Sequence, residues 1–283
     1  MFSYKRCSEV EVDLVYKAFN IGFSDYIIKI QTPKEAFVNR FFGAEGNSLE
    51  ASFIALQNDR PVGLVLGGIK EYEGIKTMRC GTMAVDPEFR GTEVGKSLME
   101  LHREEAVKKG CKQLFLEVIV GNDRAINFYK RLGYEKINDL YYYSLKDISK
   151  INSKINSEIY TKILSIGEFS RFAEKSSDVH VNWQNDLDYI KKSENQLCLG
   201  VSIDDELVGV ASVNKNSRIS YIYVEKKYRG RGIAASLLAK SAQELSIDRL
   251  SIGLPNNASI IGFLKHIGFN KDHISQYEMY VTL

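Results

Sequence analysis

The sequence predicts an α/β protein built from two copies of one domain, and three observations support this prediction. The chain has 283 residues, which suits two domains of ordinary size better than one. Two short motifs of the first half recur in the same order in the second half. In each half, runs rich in β-branched residues are followed by segments of helical periodicity, as expected for strands and helices.

Two short helices are expected at the start of the first copy. Ser8-x-x-Glu11 and Thr32-Pro33-x-Glu35 have the pattern of capping boxes, and Pro33 suits the first position of a helix. Strand-like runs and two amphipathic segments that stop at glycines follow. The expected order is strands at 52–56, 61–68 and 77–85, a helix at 91–109, a strand at 113–120, a helix at 123–132 and a strand at 141–145.

A polar segment at residues 147–157, rich in Ser, Asn and Lys, has the composition of a linker. The second copy repeats the order of elements after it, from residue 159 onward. We therefore expect an N-terminal domain at residues 1–146 and a C-terminal domain at residues 158–283.

Composition excludes several classes of function. The formal net charge is +2, from 38 Lys and Arg against 36 Asp and Glu, so no nucleic-acid partner is expected. The cysteines form no C-x-x-C pair and the histidines form no ligand-spaced set, so neither disulfides nor a metal site is expected. Without a signal peptide or an apolar run of the roughly 20 residues that span a bilayer, a cytoplasmic protein with no membrane partner is expected.

A glycine-rich turn opens a predicted helix in both copies. The second copy has Arg229-Gly230-Arg231-Gly232-Ile233-Ala234, and the first has Arg90-Gly91-Thr92-Glu93-Val94-Gly95. Such a turn aims backbone N–H groups and the positive end of a helix at one point, and its glycines let a ligand come close to the backbone. An anion such as a pyrophosphate is therefore the ligand expected there.

The second motif is Asn-x-x-Ala-x-x-Phe-Tyr-x-x-x-Gly-Tyr at residues 122–134, which residues 257–269 match in part. Together with the turn it resembles the signature of the GNAT superfamily of acyl-CoA-dependent N-acetyltransferases, and the resemblance covers nearly the whole chain twice. It implies, for each copy, a mixed, mostly antiparallel twisted sheet flanked by helices. It also implies acetyl-CoA as the co-substrate, held by the strand before the turn and by the turn amides.

Carried over residue by residue, the resemblance implies which residues bind the cofactor. In the first copy they are Met83, Ala84, Val85, Arg90, Gly91, Thr92, Val94, Gly95, Lys96 and Asn122. In the second copy they are Tyr223, Val224, Arg229, Gly230, Arg231, Gly232, Ile233 and Ala234. Glu93 replaces the middle glycine of the first turn, but the main-chain N–H groups that would hold a pyrophosphate are retained.

The resemblance assigns the chemistry to the first copy. Tyr129 stands where the family has the tyrosine that protonates the departing CoA thiolate, and the second copy has Leu264 there. Glu117 lies in a Leu-Glu-Val strand similar to that of ribosomal-protein alanine N-acetyltransferases, whose glutamate is the general base, and the second copy has Ile252. An acid and a base are each worth roughly 10²–10⁴-fold in rate. The expected activity is therefore acetyl transfer in the first domain, with the second as a partner domain.

Other interpretations stay open. Tyr129 could cap a strand edge, and Glu117 could be a solvent-facing strand residue. Catalysis could belong to the second copy, with Tyr221, Tyr223 or a bound water as the acid, or the chain could be a non-catalytic acyl-CoA sensor or scaffold.

The acceptor is expected to be a small molecule or a peptide with a primary amine. Phe23, Asp25 and Tyr26 lie where the superfamily covers its acceptor, and they are candidates for that pocket. We also expect the protein to be a monomer with two equivalent halves or a homodimer. A bacterial source is expected as well.

Overall fold

A computed structural model describes residues 1–26, 28, 32–156, 158–175, 180–256 and 258–283 of the chain. These residues form two compact units, and both have the mixed α/β character that the sequence predicts. The first unit comprises residues 1–137 and 277–283, and the second comprises residues 138–276. No helix in the described part of the chain has the length and apolar character needed to cross a bilayer.

The first unit is a mostly antiparallel sheet with helices on both faces. Strands β1 to β4 pair antiparallel in chain order, and β5 joins β4 in parallel. The strands are Phe2–Arg6 (β1), Ser48–Gln57 (β2), Arg60–Tyr72 (β3), Ile75–Val85 (β4) and Gln113–Ile119 (β5). The helices are Val12–Gly22 (α1), Lys34–Asn39 (α2), Val94–Lys108 (α3) and Asp123–Arg131 (α4).

Side-chain periodicity decides which helix covers which face of this sheet. In α3 the buried residues Val94, Leu98, His102 and Ala106 recur every four positions, so one side of the helix meets the sheet. Helices α3 and α4 share one buried cluster with the strands. Helices α1 and α2 cover the other face through a separate cluster of aromatic residues around Phe19.

The start of the chain differs in detail from the prediction. The predicted capping box Ser8-x-x-Glu11 does not form. Ser8 lies inside a short 3-10 helix at Cys7–Glu9, where the Arg6 N–H donates to the Glu9 carboxylate at 2.8 Å, and α1 begins at Val12, directly after Glu11. Pro33 takes the capping position before α2 instead of the first helical position. β1 was not predicted, because a short exposed strand at an edge carries little apolar alternation.

The second unit contains two groups of strands. One is an antiparallel sheet in the order β10-β9-β8-β7, and in the other β6 pairs antiparallel with β11 and neighbours β12. The strands are Glu135–Leu145 (β6), Thr161–Ile163 (β7), Gln196–Ile203 (β8), Glu206–Asn214 (β9), Ile219–Val224 (β10), Leu250–Pro255 (β11) and Asn270–Thr282 (β12). The helices are Ile166–Lys175 (α5), Leu187–Lys192 (α6), Ile233–Leu245 (α7) and Ala258–His266 (α8).

The last strand of the first half is built mainly into the second unit. Residues 138–145 of β6 belong to that unit, where Leu145 pairs with Leu250 of β11. Tyr143 and Leu145 are almost fully buried in one cluster with Ile252 and Phe269. The predicted strand at residues 141–145 is therefore confirmed as a strand, but its partners are residues of the second half.

The last strand of the second half completes the first unit in the same way. Residues 277–282 of β12 lie beside β5, and the Leu283 N–H donates to the Lys112 carbonyl at 2.9 Å. The ring of Tyr280 lies 4.8 Å from that of Phe115. Met279 is fully buried in the cluster formed with α3 and α4.

The compact units therefore divide the chain differently from the expected 1–146 and 158–283. The expected linker, 147–157, lies within the second unit, where Ile148–Lys154 forms a 3-10 helix and Ile151 is fully buried. Ser157 lies outside the described residues. The physical reason for the difference is the exchange of the last strands, since each unit needs a strand from the other half of the sequence to cover its core.

Replacing Met279 by Ala tests the role of the C-terminal strand. Met279 is fully buried, so we expect the free energy of unfolding of the first unit to fall by roughly 2–5 kcal/mol. Ile274→Ala in the same strand is the control, because Ile274 is 45% exposed. Urea unfolding, with hydrogen exchange of the β5 amides, measures both variants. Equal effects of the two substitutions would contradict the placement of β12.

The buried His102 makes the stability of the first unit depend on pH. Neither ring nitrogen of His102 has a hydrogen-bond partner among the described residues, and burial lowers its pKa to about 4. The unfolded chain binds this proton near pH 6.5 and the folded chain does not, so stability is complete above pH 6.5 and falls as the pH decreases towards 4. The loss attributable to His102 is roughly 3 kcal/mol.

Urea unfolding of the wild-type chain and His102→Leu at pH 7.5 and pH 4.5 measures this contribution. We expect the variant to lose less stability on acidification than the wild type. His273→Leu is the control at an exposed histidine and should follow the wild type. A His102→Leu variant with the full acid sensitivity of the wild type would refute the assignment.

Candidate functional site

In the first unit, the parallel strands β4 and β5 are paired along part of their length. The register runs from Thr77 beside Gln113 to Cys80 beside Leu116, and both strands continue beyond it. Where parallel neighbours separate, the backbone N–H and C=O groups that face the gap need other partners. The gap after Cys80 and Leu116 is therefore a place where a ligand can bind backbone groups.

Tyr129 lies beside this gap. It is on α4, 8% exposed, in the buried cluster that also contains Cys80. Burial raises the pKa of Tyr129 well above its ordinary value, and Cys80, Tyr134 and Tyr26 contribute in the same direction. The phenol is therefore protonated at neutral pH and can donate its proton.

Glu117 is buried in an ion pair. Its Oε2 accepts hydrogen bonds from Nε and Nη2 of Arg79 at 3.1 and 2.5 Å, and Nη1 of Arg79 donates to Glu45 at 2.6 Å. The side chains of Glu117 and Arg79 are 3% and 5% exposed, which excludes a solvent-facing Glu117. Burial raises the pKa of Glu117, the Arg79 charge lowers it, and the charges of Glu278 and Glu45 raise it.

Glu117 and Tyr129 face opposite sides of the sheet. Leu116 and Val118, the neighbours of Glu117 in β5, belong to the buried cluster that contains Tyr129. Side chains alternate between the two faces of a strand, so Glu117 points to the other face. A substrate can meet both groups where β4 and β5 have separated.

Arg90 ties the end of β4 to the loop after α1. Its Nε donates to the Val85 carbonyl and its Nη2 to the Gly22 carbonyl, both at 2.9 Å. Nη1 and Nη2 also donate to the Asp25 carboxylate at 2.6 Å, and this hydrogen bonding lowers the pKa of Asp25. Arg90 therefore fixes the shape of the turn, while its contact with a cofactor stays a prediction.

The two glycine turns differ in backbone conformation at the middle position. Glu93 has φ −68°, in the right-handed region, whereas Gly232 has φ 83°, in the left-handed region. A side chain disfavours the left-handed region, so Glu93 changes the path of the backbone. In the first turn, Oγ1 of Thr92 also accepts a long hydrogen bond, 3.4 Å, from the Val94 N–H.

The other residues predicted to bind the cofactor in the first unit lie on the same elements. Asn122 caps α4 by accepting a hydrogen bond from the Ala125 N–H at 3.3 Å, and its side chain also bonds to Tyr26. Lys96 forms an exposed pair with Glu100 at 3.4 Å on α3. The remaining positions are Met83, Ala84 and Val85 at the end of β4, Gly91 in the turn with φ 82°, and Gly95 in the first turn of α3.

In the second unit, the corresponding strands diverge almost from their start. An isolated parallel bridge joins Arg218, just before β10, to Ser251 of β11, and the Ser251 N–H donates to the Ser217 carbonyl at 2.7 Å. A cleft of about 860 Å³ opens between the diverging strands. Apolar residues line much of it, including Ile222, Ile252, Leu254, Ile260 and Phe263.

The glycine turn of the second unit lies at this cleft. Gly230 and Gly232 have φ of 76° and 83° and lead directly into α7. Nε of Arg229 donates to the Val224 carbonyl at 2.9 Å, the same bond that Arg90 makes to Val85 in the first unit. The two turns therefore share their internal bracing, as expected for copies of one fold.

Seven of the eight residues predicted to bind the cofactor in the second unit line the cleft. They are Tyr223, Val224, Arg229, Gly230, Gly232, Ile233 and Ala234. Arg231 is the exception, and its guanidinium lies over the ring of Tyr228 at 5.2 Å. The cleft thus offers turn amides at one part and apolar walls at another, which fits a long ligand with an anionic group and an apolar stem.

Several polar residues of the cleft were not predicted from the sequence. They are Lys154, His180, Asn182, Asn185, Ser220, Lys226 and His266. Lys154 lies in the expected linker, whose composition gave no indication of a site. This segment lies against the glycine turn: a Cβ atom added at Gly232 would be 3.1 Å from the Lys154 carbonyl oxygen. The side chain of the nearby Asn156 donates a hydrogen bond to the Arg231 carbonyl at 3.3 Å.

The positions that match the acid and the base are apolar in the second unit. Leu264, which matches Tyr129 in the repeat, is fully buried. Ile252, which matches Glu117 in the repeat, lines the cleft. Tyr221 and Tyr223 also line the cleft, and burial raises the pKa of Tyr221. Asn257, the motif position that matches Asn122, lies outside the described residues. In the described ranges, no group of three or more His, Cys, Asp or Glu could hold a metal ion.

Comparison with known proteins adds to this geometry. The model described as "Acetyltransferase (GNAT) family" matches residues 16–134, and that described as "Acetyltransferase (GNAT) domain" matches residues 168–282. N-alpha-acetyltransferase 30 of Schizosaccharomyces pombe is 31% identical over 118 residues, which are 41% of this chain and 77% of that protein. The protein of the same name from Dictyostelium discoideum is 28% identical over 115 residues, 41% of this chain and 61% of that protein.

Solved structures share the fold over the whole chain. A tandem GNAT protein from the clavulanic acid biosynthesis pathway has a TM-score of 0.71 at 14% identity, covering 100% of this chain and 98% of that one. A GCN5-related N-acetyltransferase from Sphaerobacter thermophilus has a TM-score of 0.70 at 11% identity, covering 99% and 95%. With two matched domains and a relative above 30% identity over most of its length, the chain belongs to the GNAT acetyltransferase family and is an acyltransferase with two GNAT domains.

Proposed function

We propose that the protein transfers the acetyl group of acetyl-CoA to a primary amine by direct attack, and that the first unit carries out the chemistry. The main support is Tyr129, a buried, protonated phenol beside the gap between β4 and β5. The second unit has Leu264 at the matching position, which cannot donate a proton. The family uses acetyl-CoA and amine acceptors, so a proton donor at this gap has a role in the reaction.

The residues of the first unit account for both proton transfers. The amine nitrogen bonds to the thioester carbonyl carbon, and the C–S bond breaks. Glu117 accepts the proton that the amine loses, and Tyr129 donates its hydroxyl proton to the departing sulfur. Backbone N–H groups of β4 that face the gap stabilise the charge on the carbonyl oxygen. Because Glu117 and Tyr129 approach from opposite faces, the acceptor and the leaving group are kept on separate sides of the bond.

The second unit, in this proposal, binds an acyl-CoA without turning it over. Lys154, Lys226 and Arg229 line the cleft that contains the glycine turn, and their charges favour a pyrophosphate there. The apolar walls suit the stem of the same ligand. Leu264 and Ile252 replace the acid and the base, so a bound thioester stays intact.

The α-amino group of a peptide is the acceptor that we propose to test first. The support is the name of the relatives from Schizosaccharomyces pombe and Dictyostelium discoideum, N-alpha-acetyltransferase 30. Phe23 and Tyr26, whose rings are 4.8 Å apart in the loop after α1, would lie on the acceptor side together with Asp25. A cytoplasmic location and a monomeric or homodimeric state stay predictions. A bacterial source also stays a prediction, because the curated relatives named above are eukaryotic.

Tyr129→Phe tests the assignment of the chemistry. Loss of the proton donor should lower kcat by roughly 10²-fold or more while the dissociation constant of acetyl-CoA stays unchanged. Tyr134→Phe is the control, because Tyr134 is also buried and its ring lies 5.8 Å from that of Tyr129. Release of CoA from acetyl-CoA is measured with a panel of free-α-amine peptides, a polyamine and an amino sugar.

Each contrary outcome of this test points to a different alternative. An unchanged kcat in Tyr129→Phe would move catalysis to the second unit, with Tyr221 or Tyr223 as the acid. A wild-type chain that acetylates none of the amines would favour a non-catalytic acyl-CoA sensor.

Paired substitutions at the first glycine of each turn test where CoA binds. Gly230 and Gly91 have positive φ, and a Cβ at either meets nothing within 4 Å. Asp and Asn both tolerate this conformation and differ mainly in charge. Gly230→Asp should weaken CoA binding at the second unit about tenfold or more relative to Gly230→Asn, because a carboxylate repels the pyrophosphate. Gly91→Asp against Gly91→Asn is the same test for the first unit.

Calorimetric titration with CoA measures the dissociation constant of each of the four variants. A pair in which Asp and Asn bind CoA equally would exclude a pyrophosphate site at that turn. Both pairs behaving in this way would contradict CoA binding by the glycine turns altogether.

A further inference from the structure

The C-terminal strand places a second carboxyl group directly across from Glu117. The Leu283 N–H donates to the Lys112 carbonyl, and the Tyr280 ring packs on that of Phe115 at 4.8 Å. Going back three residues in β12, from Leu283 to Tyr280, thus corresponds to going forward three residues in β5, from Lys112 to Phe115. The two strands are therefore antiparallel. Two further steps bring Glu278 opposite Glu117, and such cross-strand neighbours have Cβ atoms about 4.5–5.5 Å apart.

The side chains of Glu278 and Glu117 point to the same face of the sheet. Met279, next to Glu278, belongs to the buried cluster that contains Leu116, next to Glu117. Alternation along each strand therefore directs both carboxyl groups to the other face. Glu278 is fully buried there.

Charged and polar groups from every neighbouring element meet on this face. Arg79 pairs with Phe115 in the register of β4 and β5, and it bonds to both Glu117 and Glu45. Other titratable groups near this face are Tyr72 of β3 and Tyr280 of β12, which are hydrogen-bonded to each other, and the charged groups Lys70 and Glu73, of which Lys70 has its Nζ 5.4 Å from the centre of the Tyr72 ring. Three buried carboxyl groups, those of Glu45, Glu117 and Glu278, therefore share this face of the sheet with Arg79.

Arg79 alone would make Glu117 a poor base. A guanidinium that donates two hydrogen bonds to a carboxylate stabilises the charged form and so opposes proton uptake. A second carboxylate directly across the strand pair has the opposite effect, because like charges repel and one of them then binds a proton more readily. The direction of the effect on Glu117 agrees, since the Glu278 charge raises its pKa.

We propose that Glu278 is a positioning residue for acetyl transfer: its carboxylate, opposite Glu117, keeps Glu117 able to take the proton of the acceptor amine while Arg79 holds it in place. This inference rests on the proposed role of Glu117 in the first unit. The proton moves from the attacking nitrogen to a Glu117 oxygen, and Glu278 keeps its own charge throughout. The strand that completes the core of the first unit thereby also sets the charge state of its base.

Titration of Glu117 in the full chain tests this directly and needs no acceptor. The protein is labelled with ¹³C at the glutamate carboxyl carbons, and the Glu117 signal is identified by its loss in Glu117→Gln. We expect Glu278→Gln to lower the midpoint of Glu117 by about one pH unit or more. The control is Glu71→Gln, which removes one charge from an exposed position of β3 and should leave the midpoint unchanged.

The same variants are then compared in steady-state acetylation of a pentapeptide with a free α-amine. In Glu278→Gln the acid limb of the kcat/KM profile should move to lower pH by the same amount, and kcat should fall while KM stays within twofold. Glu278→Asp, which retains the charge, should restore most of kcat. If Glu278→Gln does not fold, Glu278→Thr supplies a neutral residue that favours strands.

Two results would overturn the proposal. One is a Glu117 midpoint that is the same in the wild type and in a folded neutral variant. The other can be read from the wild-type chain alone: if Glu278 holds its proton throughout pH 5–9, it carries no charge to act on Glu117. A wild type that acetylates no amine counts against the proposed function instead, because the titration still decides whether Glu278 controls Glu117.

Discussion

Both units depend on a pair of parallel strands that meets and then separates. In the first unit the pair holds from Thr77 to Cys80, and in the second it is reduced to the bridge between Arg218 and Ser251. The separation leaves backbone groups facing a gap, and a buried backbone group without a partner is costly. The ligand that we propose for this gap would form hydrogen bonds with these groups and so remove that cost. The helix that follows each turn aims its positive end at the same region.

The exchange of the last strands shows where sequence patterns stop being sufficient. The repeat predicts two copies of one fold, and the strands and helices of the first copy appear close to the expected positions. The partners of β6 and β12 could not be predicted, because both strands carry apolar residues that suit either sheet. Pairing depends on which core each strand covers, as Leu145 does in the second unit and Met279 in the first. That choice is tertiary and leaves no local pattern.

The parts of the candidate site that depend on the backbone geometry of the turns could be predicted from the sequence. The parts that depend on the register of paired strands could not. Glycines at a turn are visible in a sequence, and most of those predicted in the second unit line the cleft. The ion pair of Glu117 with Arg79 joins residues 38 positions apart, and Glu278 reaches Glu117 only through the pairing of β12 with β5. Lys154 was assigned to a linker because its segment is polar, yet Ile151 anchors that segment in a core. One buried isoleucine among polar residues is too weak a pattern to reveal this.

The contrast between the two units indicates why the buried charges of the first are retained. Removing carboxylates and a guanidinium from water is costly, and apolar residues of similar size often replace a buried ion pair without loss of stability. The second unit illustrates that replacement, since Ile252 occupies the position of Glu117 and lies in an apolar cluster. The same fold therefore does not need a charge at this position. The first unit keeps Glu117, Arg79, Glu45 and Glu278 together despite the cost, and a chemical role for Glu117 gives a reason that packing does not.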